Sequence, residues 1–302
     1  AWRWSRLLQP HYRTTVASSW QGEGADVMLA LHARKSAPSA LAWAHKERAQ
    51  ALAVVLTGTD LYRDIHMDGS AQRALHVAAQ LVVLQTCGIG ALPVALQPKA
   101  QVIFQSAKRR VSLEKPKRHL RALMVGHLRE EKDPVTYWRA AVRLADRSDV
   151  LLDHIGAALE PHWRQAAEHT AQRCPGYRWL GGLPHGQARQ RIQRAHVLVH
   201  PSQMEGGAHV ILEAVQSGTP VLASHIDGNV GMLGPHYSGY FEFGDDATLA
   251  KLLLRCREDA TFLPLLRQQC EARAPLFEPA REQQLLLQLV KTLAAPSASQ
   301  RP

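Results

Sequence analysis

The sequence predicts an α/β protein of two doubly wound units, each a parallel sheet with helices on both faces. Three observations lead there. Short, nearly all-apolar runs rich in β-branched residues alternate with helical patterns from end to end. A single charged stretch divides the series in two. The chain has 302 residues, more than the roughly 250–300 that one hydrophobic core usually organises.

Taken in order, Ala1–Leu8 (AWRWSRLL) reads as a helix with no strand ahead of it. A doubly wound unit normally opens on a strand and a tight loop, so those two pieces are expected upstream of Ala1. Trp2 and Trp4 mixed with Arg3 and Arg6 also fit a helix lying on a membrane surface, but packing of tryptophan onto the sheet is the preferred reading. Strands are expected in YRTTVASS, ADVMLALH, ALAVVLTGTD, QLVVLQ and AQVIFQS, with helices at Ser39–Arg48 and Ala71–Ala79. The segment 106–120 (SAKRRVSLEKPKRHL) is charged, carries Pro116 and has no periodicity, which marks it as an interdomain linker. LRALMVGHL, DVLLDHIG, YRWLGGL, HVLVHPS and TPVLAS then repeat the strand signal. The expected division is 1–112, 119–290 and a disordered tail, 291–302, ending APSASQRP.

Hydrophobic residues make up 46% and charged residues 21%, an ordinary soluble composition. No apolar run approaches the ~20 residues of a membrane span, and no secretory signal is visible. Cys87, Cys174, Cys256 and Cys270 form no C-x-x-C pair, which points to reduced thiols and a cytoplasmic location. The histidines are too scattered to nominate a metal site. A formal charge of +10 suits an anionic partner. Only AKRR and EKPKRH are dense in basic residues, with no aromatic interleaving, which argues against nucleic acid.

In open parallel sheets, ligands bind beyond the carboxyl ends of the strands. His32, Arg34 and Lys35 follow the first such strand, and Thr57, Gly58, Thr59 and Asp60 the next. Asp60, Arg63 and Asp64 also fit a plain ion-pair cluster at a helix start. Gly126, His127, Arg129 and Lys132 follow ALMV. After HVLVH comes MEGGAHVILEAV, with Glu205, the Gly206-Gly207 pair, Ala208 and Glu213. A helix starting near Gly207 or Ala208 points unpaired N–H groups and a positive dipole end at an anion. Glu213, about one and a half turns in, leans back toward the same ligand. Carboxylates repel a diphosphate but accept well from vicinal hydroxyls. A diphosphate flanked by two diols, that is, a nucleotide sugar, meets these demands, with Glu205 on the sugar and Glu213 on the ribose.

The E-x7-E spacing followed by SGTPVLAS resembles the retaining glycosyltransferases of family four, which have the GT-B fold of two Rossmann-like domains facing a central cleft. The resemblance implies that Gly126 and Lys132 meet the diphosphate, that Leu183 lies in a nucleobase-holding loop (WLGGLPHGQ), and that no metal or cofactor is needed. His127 stands where that family has arginine, with Arg129 the candidate substitute. LTGTDLYRDI, VGHLREEKDP, QMEGGAH and ASHIDGNVGMLG resemble more closely the selenosugar synthases. This implies transfer of a sugar, N-acetylglucosamine for instance, from a UDP-sugar to selenophosphate. Under that resemblance Glu205, Lys132 and Arg129 form the catalytic set; Gly126, His127, Leu183, Glu205, Gly206, Gly207, Ala208 and Glu213 bind the donor. His32, Arg34, Lys35, Thr57, Gly58, Thr59 and Asp60 bind the acceptor. Selenophosphate is already anionic at selenium, so it needs positive charge rather than a base. The alternative is a family-four enzyme with a hydroxyl acceptor.

Overall fold

The computed structural model describes residues 1–295, the side chains of Glu47 and Arg48 excepted. The chain divides into two compact units, one of residues 1–105, 205–207 and the segment from 279 on, the other of residues 106–204 and 208–278. Among the described residues no helix is long and apolar enough to cross a membrane, and all four cysteines are free.

The first unit opens with α1 (Trp2–Leu8), β1 (Met28–Leu31), α2 (Ala37–Trp43), β2 (Leu52–Val55), the short α3 (Ile65–Met67), α4 (Gly69–Val77), β3 (Gln80–Val83) and β4 (Ala100–Val102). The sheet runs β1-β2-β3-β4, with all pairs parallel. Alternation along β2 feeds two cores. Leu52 and Val54 pack with Trp43, Leu75 and Leu81; Ala53 and Val55 pack with Trp4, Leu8, Val82 and Ile103. The fold sends Asp68 to cap α4, where its carboxylate accepts from the N–H groups of Ser70 and Ala71.

The second unit contains β5 (Leu120–Val125), α5 (Pro134–Arg143), β6 (Val150–Ile155), α6 (Pro161–Arg173), β7 (Tyr177–Trp179), α7 (His185–Arg194), β8 (Val197–His200), α8 (His209–Val215), β9 (Val221–Ser224), α9 (Asp227–Leu233), β10 (Tyr240–Phe241), α10 (Asp246–Glu258) and α11 (Phe262–Arg273). Its parallel order is β10-β9-β8-β5-β6-β7. Sequence order therefore reverses where β5 pairs with β8.

Three expectations are corrected. YRTTVASS (12–19) forms no strand; its side chains alternate but none is fully buried. The segment pairs with neither edge of the sheet, β1 or β4; instead Tyr12 packs against the core of Trp4 and Leu8, and the Thr14 hydroxyl bonds to Ser5. The helix expected at Ser39–Arg48 is α2 followed by a wider π-helical segment, Ala44–Arg48. Finally, α12 (Pro279–Ala294) occupies positions assigned to the second domain and the tail, yet groups with the first unit. Leu286, Leu289, Val290 and Leu293 join the core of Trp4, Leu8 and Val55. Of the tail, residues 296–302 lie outside the described residues.

Trp4 is thus a core residue, 6% exposed, and its indole N–H donates to Glu282 of α12 at 2.8 Å. Arg3 pairs with the same buried carboxylate at 3.1 Å. Removing one partner of a buried charged pair costs several kcal/mol, because the other is stranded. Glu282→Ala is expected to lower stability by roughly 3 kcal/mol, and Trp4→Phe by about 1 kcal/mol, as read from urea unfolding midpoints. An unchanged midpoint for Glu282→Ala would show that the Arg3–Glu282–Trp4 contact adds nothing to the packing of α12.

Candidate functional site

In the second unit the loops after β5 and β8 leave the sheet at its topological switch point, where open α/β sheets bind ligands. The N–H of Gln203, after β8, donates to the carbonyl of Glu131, after β5, at 3.0 Å. The β5 loop is held tightly. The Gly126 N–H donates to Ile155 at 2.9 Å. A Cβ on Gly156 would lie 1.8 Å from the Gly126 carbonyl oxygen, so only glycine fits there. The Lys132 stem lies over Gly126, 3.5 Å from where a Cβ would stand. Arg129 is half-exposed and pairs with Glu131 at 3.8 Å. His127 turns Nδ1 to accept from the Ala157 N–H at 3.2 Å, which, with the Leu128–Ala157 backbone bond, extends the β5–β6 ladder.

Behind this loop a buried relay fixes the Gly126 carbonyl. The Trp138 indole donates to the Tyr177 hydroxyl at 2.7 Å. Tyr177 meets His154 Nδ1 at 3.1 Å, and His154 Nε2 meets the Gly126 carbonyl at 3.4 Å. Burial pushes the His154 pKa down to about 4, so the ring is neutral and Nε2 carries the proton it donates.

Glu213 is 4% exposed on α8, with Ala208 as the residue before the first turn. His185 Nε2 lies 2.6 Å from its Oε1, His209 Nε2 at 3.3 Å and Arg189 Nη1 at 3.5 Å. Oε2 accepts no hydrogen bond from any described residue. Burial alone raises the carboxyl pKa, but hydrogen bonds from His209 and His185 and the charge of Arg189 outweigh it. The group stays ionised, one oxygen engaged and one open. Leu183, half-buried, precedes Pro184, the residue that leads into α7 and presents His185. His185, His209 and Arg189 were not among the expected residues. The His209–Glu213 spacing, i and i+4 on one helix face, is the signal that finds one of them.

In the first unit, Asp60 is fully buried and entirely used by its own backbone. Oδ1 accepts from the N–H groups of Thr57 and Gly58 at 2.8 and 3.0 Å and from the Thr57 hydroxyl at 3.1 Å; Oδ2 accepts from the Ala33 N–H at 2.8 Å. It therefore ties the β1 loop to the β2 loop, and the exposed Thr57 is what that tie presents. His32 has φ +73°, a left-handed backbone that costs a non-glycine residue roughly 1 kcal/mol. Its ring is buried, with Nε2 3.2 Å from the Thr59 hydroxyl. Arg34 and Arg63 both pair with the buried Asp64, at 3.1 and 3.3 Å, and Lys35 is exposed beside them.

Glu205, Gly206 and Gly207 group with this unit. The glycine pair has a steric reason. A Cβ on Gly206 would sit 2.2 Å from the Thr57 carbonyl carbon, and one on Gly207 2.6 Å from Leu84 Cβ. Gly58, at φ +137°, meets the Gly206 nitrogen in the same way, at 2.8 Å. Backbone-to-backbone approach thus demands these glycines, whatever else the loop does.

The family described as glycosyl transferases group 1 matches residues 105–276. "Glycosyltransferase 1 domain-containing protein 1" of Xenopus tropicalis is 31% identical over 112 residues, 37% of this chain and 32% of that protein; the match spans about a third of the relative's length. Anabaena HepE in complex with UDP-glucose superposes with a TM-score of 0.72 at 18% identity, over 87% of this chain and 78% of that one. Sucrose-phosphate synthase from Thermosynechococcus elongatus gives 0.73 at 18%, over 90% and 74%. A UDP-forming trehalose-phosphate synthase from Burkholderia vietnamiensis gives 0.71 at 11%, over 89% and 75%. These likenesses show the fold, GT-B.

Two outcomes follow. Gly206→Ala is expected to displace the loop, with a stability loss of about 2 kcal/mol in urea unfolding; a wild-type midpoint would refute the close approach. For His154, the unfolded chain titrates near about 6.5 and the folded one lower, so the unfolded state binds more protons between those values. Stability is full above that window and falls as the pH drops through it, by up to about 1.4 kcal/mol per pH unit. His154→Gln is expected to flatten this slope, as measured by urea midpoints across the same range.

Proposed function

The chain belongs to the group 1 glycosyltransferases, and from that membership we propose that it transfers a sugar from a UDP-sugar to selenophosphate. In this reading the bond between the anomeric carbon and the UDP oxygen breaks, a carbon–selenium bond forms from a selenium lone pair, and UDP leaves with the bonding electrons. Glu213 accepts from the ribose hydroxyls and Glu205 from the transferred sugar. Lys132 and Arg129 neutralise the departing diphosphate, beside the Gly126, His127 and Ala208 backbone, while Leu183 lies at the nucleobase and the Gly206-Gly207 pair keeps the loop close.

The observation that carries the donor half is the ionised, buried Glu213 with one open oxygen, next to a switch point whose other loop bears Lys132. Structures of the similar Anabaena HepE in complex with UDP-glucose and with UDP support the same donor class. The acceptor half rests on the resemblance of the quoted segments to selenosugar synthases, and on the basic rim of Arg34, Lys35 and Arg63. Thr57, Gly58 and Thr59 line that acceptor loop, with His32 among them; Asp60 acts from behind, as a positioning residue. The second reading, a hydroxyl acceptor, draws on His32, an imidazole held by the Lys35 N–H at Nδ1 and by the Thr59 hydroxyl at Nε2.

The test is incubation with UDP-N-acetylglucosamine and selenophosphate, with mass spectrometry for a sugar product bearing the selenium isotope pattern. Glu213→Gln is expected to raise the donor KM about tenfold, the loss of roughly one charged hydrogen bond. Arg34→Ala with Lys35→Ala is expected to raise the acceptor KM alone. If UDP appears only when a hydroxyl acceptor is supplied, the second reading holds instead.

A further inference from the structure

Two imidazoles converge on Glu213, and the proposed ribose contact accounts for neither. His185 opens α7 and His209 opens α8, so two different elements aim Nε2 at one carboxylate oxygen. The three donor atoms lie within 4.8 Å of one another. Two imidazoles and one carboxylate are a ligand set that divalent zinc takes when it keeps its fourth position open. Metal–nitrogen and metal–oxygen bonds of about 2.0–2.1 Å place tetrahedral ligands roughly 3.3 Å apart. His209 Nε2 and Glu213 Oε1 already stand at 3.3 Å. His185 Nε2 is closer, at 2.6 Å, and must draw back by less than an ångström. Its side chain is 73% exposed, so nothing packed against it resists that swing. His209 and Glu213, four apart on one helix, hold their spacing rigidly.

We propose that His185, His209 and Glu213 form a binding site for a divalent, imidazole-preferring cation such as zinc, and that the cation excludes the donor's ribose. The second clause rests on the ribose reading of Glu213; the first does not. Arg189 sets the strength. Its Nη1 is 3.5 Å from the same Oε1 and its Nη2 donates to the Lys108 carbonyl at 3.1 Å, so the guanidinium is tethered beside the cation and repels it. The site is accordingly reversible, filled and emptied by free metal, and acts as a brake rather than a structural centre. Zinc on Oε1 leaves Oε2 in place but draws negative charge from the shared carboxylate and keeps water at its own open position, so the ribose diol loses both acceptor strength and room.

Isothermal titration of the tag-free chain with zinc chloride, with and without saturating uridine, tests both clauses. Uridine carries the ribose but no diphosphate to chelate the metal. The expected result is one zinc per chain, lost in His185→Ala and in His209→Ala, with the apparent dissociation constant raised by uridine, about elevenfold at uridine near ten times its own dissociation constant. His185→Ala changes an exposed side chain, so a folding failure does not confound it; circular dichroism checks both variants. No saturable zinc binding, or binding undiminished in both variants, overturns the site. Binding that needs both histidines but ignores uridine keeps the metal site and overturns the exclusion, and the uridine affinity of Glu213→Gln then tells separately whether Glu213 holds the ribose. A weaker uridine affinity in Glu213→Gln alongside absent zinc binding overturns the metal site and leaves the donor reading standing.

Discussion

β5 hydrogen-bonds to β6 on one side and to β8 on the other. Because the chain winds outward in both directions from that pair, the connections after β5 and β8 depart to opposite faces. The gap they leave cannot be filled by a crossover helix. That pairing decides where this unit's chemistry is built. The backbone bond between Gln203 and Glu131 ties the diverging loops, and the Gly126–Gly156 approach allows no side chain between β5 and β6 where they end. The relay from Trp138 through Tyr177 and His154 ends on the Gly126 carbonyl, at the start of the β5 loop. A rim held this way on a reversed sheet keeps its dipoles in place, and electrostatic stabilisation is largest when the groups supplying it do not have to reorganise.

Two buried carboxylates illustrate how one residue type serves opposite purposes. Asp60 spends both oxygens on backbone N–H groups and a hydroxyl of its own loops. Such an acceptor is saturated, and its contribution is shape. Glu213 is held instead by side chains that come from two helices, all on Oε1. Its charge is kept by a tethered Arg189, a His209 from its own helix and an exposed His185 that can swing, and its other oxygen is open. Burial statistics do not separate these residues; the identity of the donors does.

Strand positions were readable because buried parallel strands are nearly continuous apolar runs, as in LAVV, VLVH and VLAS. The strand order of the second unit was not readable, since periodicity says nothing of neighbours. YRTTVASS misled because alternation signals one-sided burial and not a strand: its half-buried side chains meet α1, as Tyr12 packs with Trp4 and Leu8 and Thr14 bonds to Ser5. α12 misled because a chain that returns to an earlier unit leaves no local trace; only the fit of Leu286 and Leu289 against Trp4 reveals it. At the site, Glu213 and Lys132 stood out from spacing and resemblance. The Gly206-Gly207 pair stood out too, but its steric demand comes from Thr57 and Leu84, far away in sequence. His185 was invisible for the same reason: proximity to Glu213 is a product of two helices and not of any local pattern.

The electrostatics of the first unit bear on which acceptor the loops suit. Asp60 is satisfied by dipoles, so its charge is spread into the backbone it organises. Asp64 is shared between Arg34 and Arg63, one negative charge against two positive ones, and Lys35 adds a third cation at the surface. With Asp60, and with Asp68, whose carboxylate also feels Arg34, three carboxylates stand against three cations. Asp60 and Asp64 are buried while both guanidinium groups are close to half-exposed and screened by water, so an anionic ligand meets the cations first. A general base, by contrast, must be oriented by a hydrogen bond. At 3.8 and 3.9 Å from its carboxylates, His32 is beyond hydrogen-bond reach of either; its Nδ1 accepts from the Lys35 N–H at 3.4 Å and its Nε2 meets the Thr59 hydroxyl. Backbone and hydroxyl thus orient this imidazole, and no carboxylate among the described residues backs it with a hydrogen bond.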